Sequence, residues 1–183
     1  MISNKAVTEE LWSAIGPASS QLDCMPARVA VHDEAMLDRA DGFLFLSSAG
    51  WTARRQDALI EALAACPRPV LVGNPDLGAP YENGMSREPG WYAHAIWDRL
   101  GLVPEFFGKP YANAFDAALS RLQGIDKGRI AMLGDTLHTD ILGAAAAGIV
   151  PVLVTGHGVL QGMDAAQEME LAAIRPAWVI PEI

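Results

Sequence analysis

The chain has 183 residues, 51% of them apolar, with 13 Lys and Arg against 22 Asp and Glu, a formal net charge of −9. That length allows one domain or two small ones with ample core. The acidic balance argues against nucleic acid as a partner and leaves no basic patch for a membrane surface. An acidic chain that handles phosphate needs local compensation from a metal, a lysine or backbone amides. The two cysteines, Cys24 and Cys66, lie far apart, which suits reduced structural thiols better than a disulfide framework. No apolar run approaches the about 18 residues of a membrane helix, and no signal-like segment opens the chain, so the expected location is cytoplasmic.

In chain order, Met1 to Asn4 reads as the tail of a strand. Thr8 to Ile15 reads as a short helix with Leu11, Trp12 and Ile15 on one face. A loop follows through Pro17 and Pro26, then a weak strand from Ala27 to Val31 and a helix from Asp33 to Arg39. Asp41 to Leu46 is a fully apolar strand ending at Ser47 and Ser48. Thr52 caps a helix running to about Ala65, with Leu59, Ile60 and Leu63 inward. Val70 to Val72 is a third strand, closing in Gly73-Asn-Pro-Asp76. The Gly- and Pro-rich passage from Leu77 to Gly90 is a hairpin or a long loop. Trp91 to Leu100 fits a helix with Ala93, Ile96, Trp97 and Leu100 on its apolar face. A short strand, Glu105 to Phe107, leads into Gly108-Lys-Pro110, and Ala114 to Leu122 is helical. Later come a strand from Val150 to Val154, a helix around Asp164 to Ala173 and a last strand from Trp178 to Ile180. Strands alternate with helices throughout, so the expected class is α/β with mostly parallel pairing.

The most informative stretch runs from Arg129 to Gly148. Ile130 to Leu133 is an unbroken apolar run, as in a strand buried on both faces of a parallel sheet. Gly134 lets the chain turn and Asp135 sits at the strand end. Thr139 can cap the next helix, Asp140 complements its positive end, and Gly148 stops it after the alanine run. Ligand crevices of open parallel sheets lie outside the carboxyl ends of the strands. Asp135 and Asp140 therefore project into such a crevice from one loop, a hard oxygen pair suited to Mg2+. Lys109, at another strand end, offers a fixed positive charge to a phosphate. Phosphoryl transfer needs chiefly positioning and charge neutralisation, which gives this set its rationale. Asn74 and Asp76 read either as ligand-facing groups or as an Asx turn. His138 and His157 read as exposed loop histidines. Trp91, Tyr92, Trp97, Met132, Met163 and Met169 read as packing residues.

In this order the residues resemble the haloacid dehalogenase (HAD) superfamily, most closely subclass IIA, the NagD-like phosphatases with a large α/β cap. The resemblance is carried by Asn74-Pro-Asp76, by Pro89-Gly90 before a helix and by Gly108-Lys-Pro110. It is carried also by the run from Gly134 to Gly148, with Thr155-Gly156 and Trp178 to Pro181 in support. It implies a partial HAD-like, Rossmann-like core with an α/β cap domain, residues 1–104 being cap-like and 105–183 the C-terminal part of the core. The likeness makes Lys109 the catalytic lysine that contacts the phosphate, Asp135 and Asp140 the Mg2+ carboxylates, and Asn74 and Asp76 substrate-binding groups on the cap side.

The implied reaction is Mg2+-dependent hydrolysis of a small phosphate ester through an aspartyl-phosphate. Yet the family's first motif, Asp-x-Asp at a strand end, occurs nowhere in the chain. Asp41 precedes its apolar strand where the motif requires it to follow. Ser3 is the one candidate near the start for the second-motif hydroxyl, but Ile2 to Asn4 fits better the strand where the cap begins. The expectation is therefore a chain without the nucleophile strand, inactive alone, whose Ile130–Leu133 strand has lost a neighbour and which forms a homodimer or aggregates unless that edge is covered. The rival expectation is a non-catalytic HAD-fold binding or scaffold protein. A nucleotide-binding domain is disfavoured because no Gly-x-Gly-x-x-Gly or P-loop follows any strand.

Overall fold

The computed structural model describes residues 10–16, 22, 28–81 and 84–183. The chain divides into two compact units. Met1–Gly78 with Arg87–Phe106 forms the first, and Ala79–Ser86 with Phe107–Ile183 the second.

The first unit is built on a parallel five-stranded sheet. Its strands are β1 (Leu11–Ile15), β2 (Arg28–Val31), β3 (Gly42–Phe45), β4 (Val70–Val72) and β7 (Glu105–Phe106), in the order β2-β1-β3-β4-β7. β1 is a correction to the helix expected over Thr8 to Ile15. Trp12, Ser13, Ala14 and Ile15 are all buried, because this strand is second from the edge and covered on both faces. Full burial erases the alternation that would have marked a strand, and the apolar spacing imitates a helical stripe. The strand expected at Met1 to Asn4 lies outside the described residues.

Helices follow the strands where the sequence placed them: α1 (Met36–Arg39), α2 (Ala53–Ala65) and α3 (Pro89–Leu100). The Thr52 hydroxyl accepts from the Arg55 amide and caps α2, whose Leu59, Ile60 and Leu63 are buried. Each such side chain contributes about 1.5–3 kcal/mol on full burial. Pro89 opens α3 and Gly101, in the left-handed region, ends it. Ala93 and Ile96 are buried as expected. Trp91 (46% exposed) and Trp97 (43%) are not core residues, the first lying under Arg87 and the second stacking on His94. β5 (Gly78–Tyr81) and β6 (Gly84–Arg87) pair in a two-stranded sheet, settling the Leu77–Gly90 passage as a hairpin. Cys66 is free and exposed, so it is not a core thiol, and Cys24 lies outside the described residues.

The second unit has a parallel three-stranded sheet ordered β10-β9-β8, from β8 (Ala131–Gly134), β9 (Val150–Val154) and β10 (Trp178–Ile180). With it go α4 (Ala112–Leu119), α5 (Leu142–Ala147) and α6 (Ala165–Ala172). One apolar cluster joins Leu137, Ile141, Leu153 and Leu160, with Met169 packed against it. Another joins Phe115, Ala144 and Ile149, with Met132 against it. Met163, by contrast, is exposed. β8 is not buried on both faces. It is an edge strand of this sheet among the described residues, and Leu133 is 42% exposed. β7, from which the second domain was expected to start at residue 105, hydrogen-bonds to β4 in the first sheet. No helix among the described residues is long and apolar enough to cross a membrane.

Candidate functional site

Three of the sequence-predicted residues meet in the second unit at the carboxyl end of β8. Beyond Asp135 the chain makes a single π-helical turn, Leu137–Ile141, before α5 begins. Such single π turns are rare and frequent at functional sites. Thr139 lies inside the turn and caps nothing. It and Asp140 are buried inside the turn, and Thr136 stands at its N-cap position. Asp140 lies in the first turn of this helical segment, as the sequence suggested, with its side chain buried. Its side chain is 3% exposed, and Gly134 is what makes room for it, since a Cβ on Gly134 would fall 2.2 Å from the Asp140 Cβ.

A buried carboxylate must be paired. Asp140 Oδ1 accepts from Lys109 Nζ at 2.5 Å and Oδ2 from the Thr136 amide at 3.3 Å. Lys109 rises from the turn after Phe107, where Asn113 Oδ1 accepts from the Gly108 amide and pins the turn at the start of α4. The lysine side chain is about half exposed (47%), so its ammonium bridges the buried aspartate and solvent.

Asp135 is held separately. Its Oδ1 accepts from the Thr136 hydroxyl at 3.3 Å and its Oδ2 from the Val159 amide at 3.2 Å. Thr136 thus touches both carboxylates, one through its hydroxyl and the other through its amide. One loop accordingly presents two ordered carboxylates, one neutralised by a lysine. Among the described residues no three His, Cys, Asp or Glu side chains cluster as a metal-ligand set. Two carboxylates are nevertheless a donor set that fits Mg2+, which keeps several waters and draws further oxygens from a substrate phosphate.

Asn74 and Asp76 lie in the first unit, beyond the carboxyl end of β4. Asn74 Oδ1 accepts from the Asp76 amide at 3.2 Å, so the Asx-turn reading holds. Glu88, which the sequence did not single out, accepts from the Ser48 hydroxyl at 3.4 Å and from Asn74 Nδ2 at 3.5 Å. The Gly90 amide donates to the Asp76 carbonyl at 3.0 Å, and a Cβ on Gly90 would fall 2.0 Å from the Pro75 carbonyl oxygen. Asn74-Pro-Asp76 and Pro89-Gly90 are therefore one packed turn. His138 and His157 are exposed, as read. Thr136, Gly158 and Val159 escaped the sequence reading. Val159 reaches Asp135 across 24 positions, and a glycine flanking His157 was the only sign of crowding there.

The fold and the site together define a Rossmann-like α/β protein with a Lys–Asp pair and a second aspartate at a strand's carboxyl end. Residues 106–183 match the family model described as HAD-hydrolase-like. An acid sugar phosphatase of Staphylococcus aureus is 35% identical over 92 residues, which is 50% of this chain and 35% of that protein. A possible sugar phosphatase of the HAD superfamily from Cytophaga hutchinsonii superposes with a TM-score of 0.76 at 25% identity, covering 94% of this chain and 64% of that one. A 4-nitrophenylphosphatase from Thermotoga maritima gives 0.61 at 27% identity, covering 83% and 55%. The chain is thus similar to phosphatases of the HAD superfamily, with residues 106–183 carrying the match to the HAD-hydrolase-like family. It spans about a third of the length of the curated relatives it matches, at 35% for the Staphylococcus aureus protein.

Proposed function

We propose that the chain serves Mg2+-dependent hydrolysis of a small phosphate ester, with sugar phosphates the class favoured by the names of its relatives. The observation that carries this reading is the Lys109–Asp140 pair, with Asp140 on the same loop as Asp135. Lys109 would place its ammonium against the phosphate oxygens while Asp140 holds it in one orientation. Asp135, with Asp140, would hold Mg2+, which when bound offsets the negative charge of the phosphoryl group. Asn74 and Asp76 would be substrate-binding groups of a cap comprising residues 1–104, with 105–183 as core. A cytoplasmic setting and a possible homodimer complete the proposal.

In this family's mechanism the phosphoryl group passes to an aspartate of Asp-x-Asp, and the second aspartate protonates the leaving oxygen. These 183 residues contain no Asp-x-Asp. Lys109 and a cation position and neutralise, but they supply no attacking atom, so the chain alone should not turn over. The same observation favours a second reading, a non-catalytic HAD-fold scaffold. Calorimetry with Mg2+ separates the two. The phosphatase reading expects weak, saturable binding that is lost in Asp135→Asn, because part of the ligand set is supplied elsewhere. No binding at all would favour the scaffold, and tight binding would contradict an incomplete site.

A further inference from the structure

We propose that the loop of residues 155–160, after β9, is a built seat for Asp135, with Gly158 and the Val159 amide fixing that carboxylate in one orientation. The inference rests on the reading of Asp135 as a carboxylate offered to a cation, and it concerns residues to which neither the sequence nor the family match gave a role.

Three observations converge on it. The Val159 amide donates to Asp135 Oδ2 at 3.2 Å, while the Thr136 hydroxyl donates to Oδ1 at 3.3 Å from the other side. Each oxygen is therefore held by its own donor, and rotation about the carboxylate breaks both bonds. Gly158 lies directly against the same group. Its φ is +75°, and a Cβ placed there would fall 1.5 Å from Asp135 Oδ2 and 2.4 Å from Cγ. Glycine is required on both counts, conformational and steric. The loop is also anchored at both ends. The Thr155 amide donates to the Ile180 carbonyl at 3.0 Å and the Gly156 amide to the Pro181 carbonyl at 2.8 Å. At its far end Leu160 is 4% exposed in the cluster with Leu137, Ile141 and Leu153. The seat is thus carried by β9, β10 and the core rather than by a free loop.

A carboxylate held in this way needs no reordering when a cation arrives, and groups that orient metal ligands typically govern metal affinity by roughly 10- to 100-fold. Gly158 and Val159 are positioning residues in this scheme, since they act through Asp135.

The test is a double-mutant cycle read by thermal denaturation without metal, joined to amide NMR. Gly158→Ala should lower the midpoint by several degrees in the wild-type background and by less than half as much in Asp135→Ala, where the clashing side chain is gone. Part of the loss should persist because alanine at positive φ is strained in either background. The Val159 amide resonance should move in Asp135→Ala although the two residues are 24 positions apart. Equal midpoint losses in both backgrounds, or an unmoved Val159 resonance, would overturn the seat. If Gly158→Ala does not fold, the Val159 resonance alone decides. Titration with Mn2+ then adds the functional arm, with affinity expected to fall roughly 10-fold in Gly158→Ala. A wild-type chain that binds no Mn2+ would refute the cation reading of Asp135, while the metal-free cycle still passes judgement on the seat.

Discussion

Replacing Lys109 by methionine removes the charge that neutralises Asp140 while keeping the length of the side chain. Asp140 is 3% exposed and would retain one donor, the Thr136 amide. Removing one partner of a fully buried ion pair costs about 3–5 kcal/mol, whereas a surface pair contributes about 0–1 kcal/mol. Lys109 is 47% exposed, so water can replace part of what its ammonium supplies, and the cost falls between the two limits at about 1–2 kcal/mol. That corresponds to roughly 5- to 30-fold more opening of the second unit. Amide hydrogen exchange across β8 and β9 reads this locally, without mixing in unfolding of the first unit. Asp140→Asn should itself destabilise, and combining it with Lys109→Met should cost less than the sum by about 1 kcal/mol, because both changes break one interaction. Strict additivity of the two substitutions would show that the pair is not formed and would remove the basis for Lys109 as an oriented phosphate contact.

Other outcomes follow from the first unit and from the edge of the second. His32 accepts or donates at Ser13 Oγ, 2.8 Å away, with its ring edge-on to Trp51, and burial followed by the Arg55 charge lowers its pKa below the usual 6.5. The unfolded chain therefore protonates first as pH falls. The stability tied to neutral His32 is complete above 6.5 and is lost as pH drops through 6.5 toward the folded value, and His32→Gln should flatten that slope in urea titrations. Gly90→Ala drives a methyl group to 2.0 Å from the Pro75 carbonyl and should destabilise by about 1–3 kcal/mol, so an unchanged melting temperature would contradict the packed turn. As an edge strand among the described residues with Leu133 exposed, β8 favours self-association, and a Leu133→Lys variant should be more monomeric in light scattering than the parent.

What the sequence disclosed depended on how local the cause was. α2 was readable because Thr52 caps it and Leu59, Ile60 and Leu63 repeat at helical spacing, all within one helix. The end of α5 was readable because Gly148 alone supplies the left-handed residue there. β1 was misread because both of its faces are covered in an interior strand position between β2 and β3, which no local pattern reports. β8 was read two ways: its apolar run looks like an interior strand, whereas the missing first motif implied a lost neighbour, and its edge position among the described residues agrees with the second. At the site, the Asp135 and Asp140 spacing identified the loop and put Asp140 in the first helical turn, but did not report that a π-helical turn buries it against Lys109. The donors that hold Asp135 are Thr136, adjacent in sequence, and Val159, which is brought close only by the pairing of β8 with β9.

On the proposed reading, Lys109, Asp135 and Asp140 form a phosphate-handling site whose attacking aspartate is not among these residues. The measurement that bears on it most directly is turnover by the purified 183-residue chain with Mg2+, using 4-nitrophenyl phosphate and a panel of sugar phosphates. General acid–base help alone is worth about 100- to 10,000-fold, and with the nucleophile absent as well the predicted rate is background. Supplying a strand that bears Asp-x-Asp should restore hydrolysis, and Lys109→Ala or Asp135→Asn should abolish the gain. Robust Mg2+-dependent turnover by the chain alone, lost in Asp135→Asn, would contradict the account and require another nucleophile within these 183 residues.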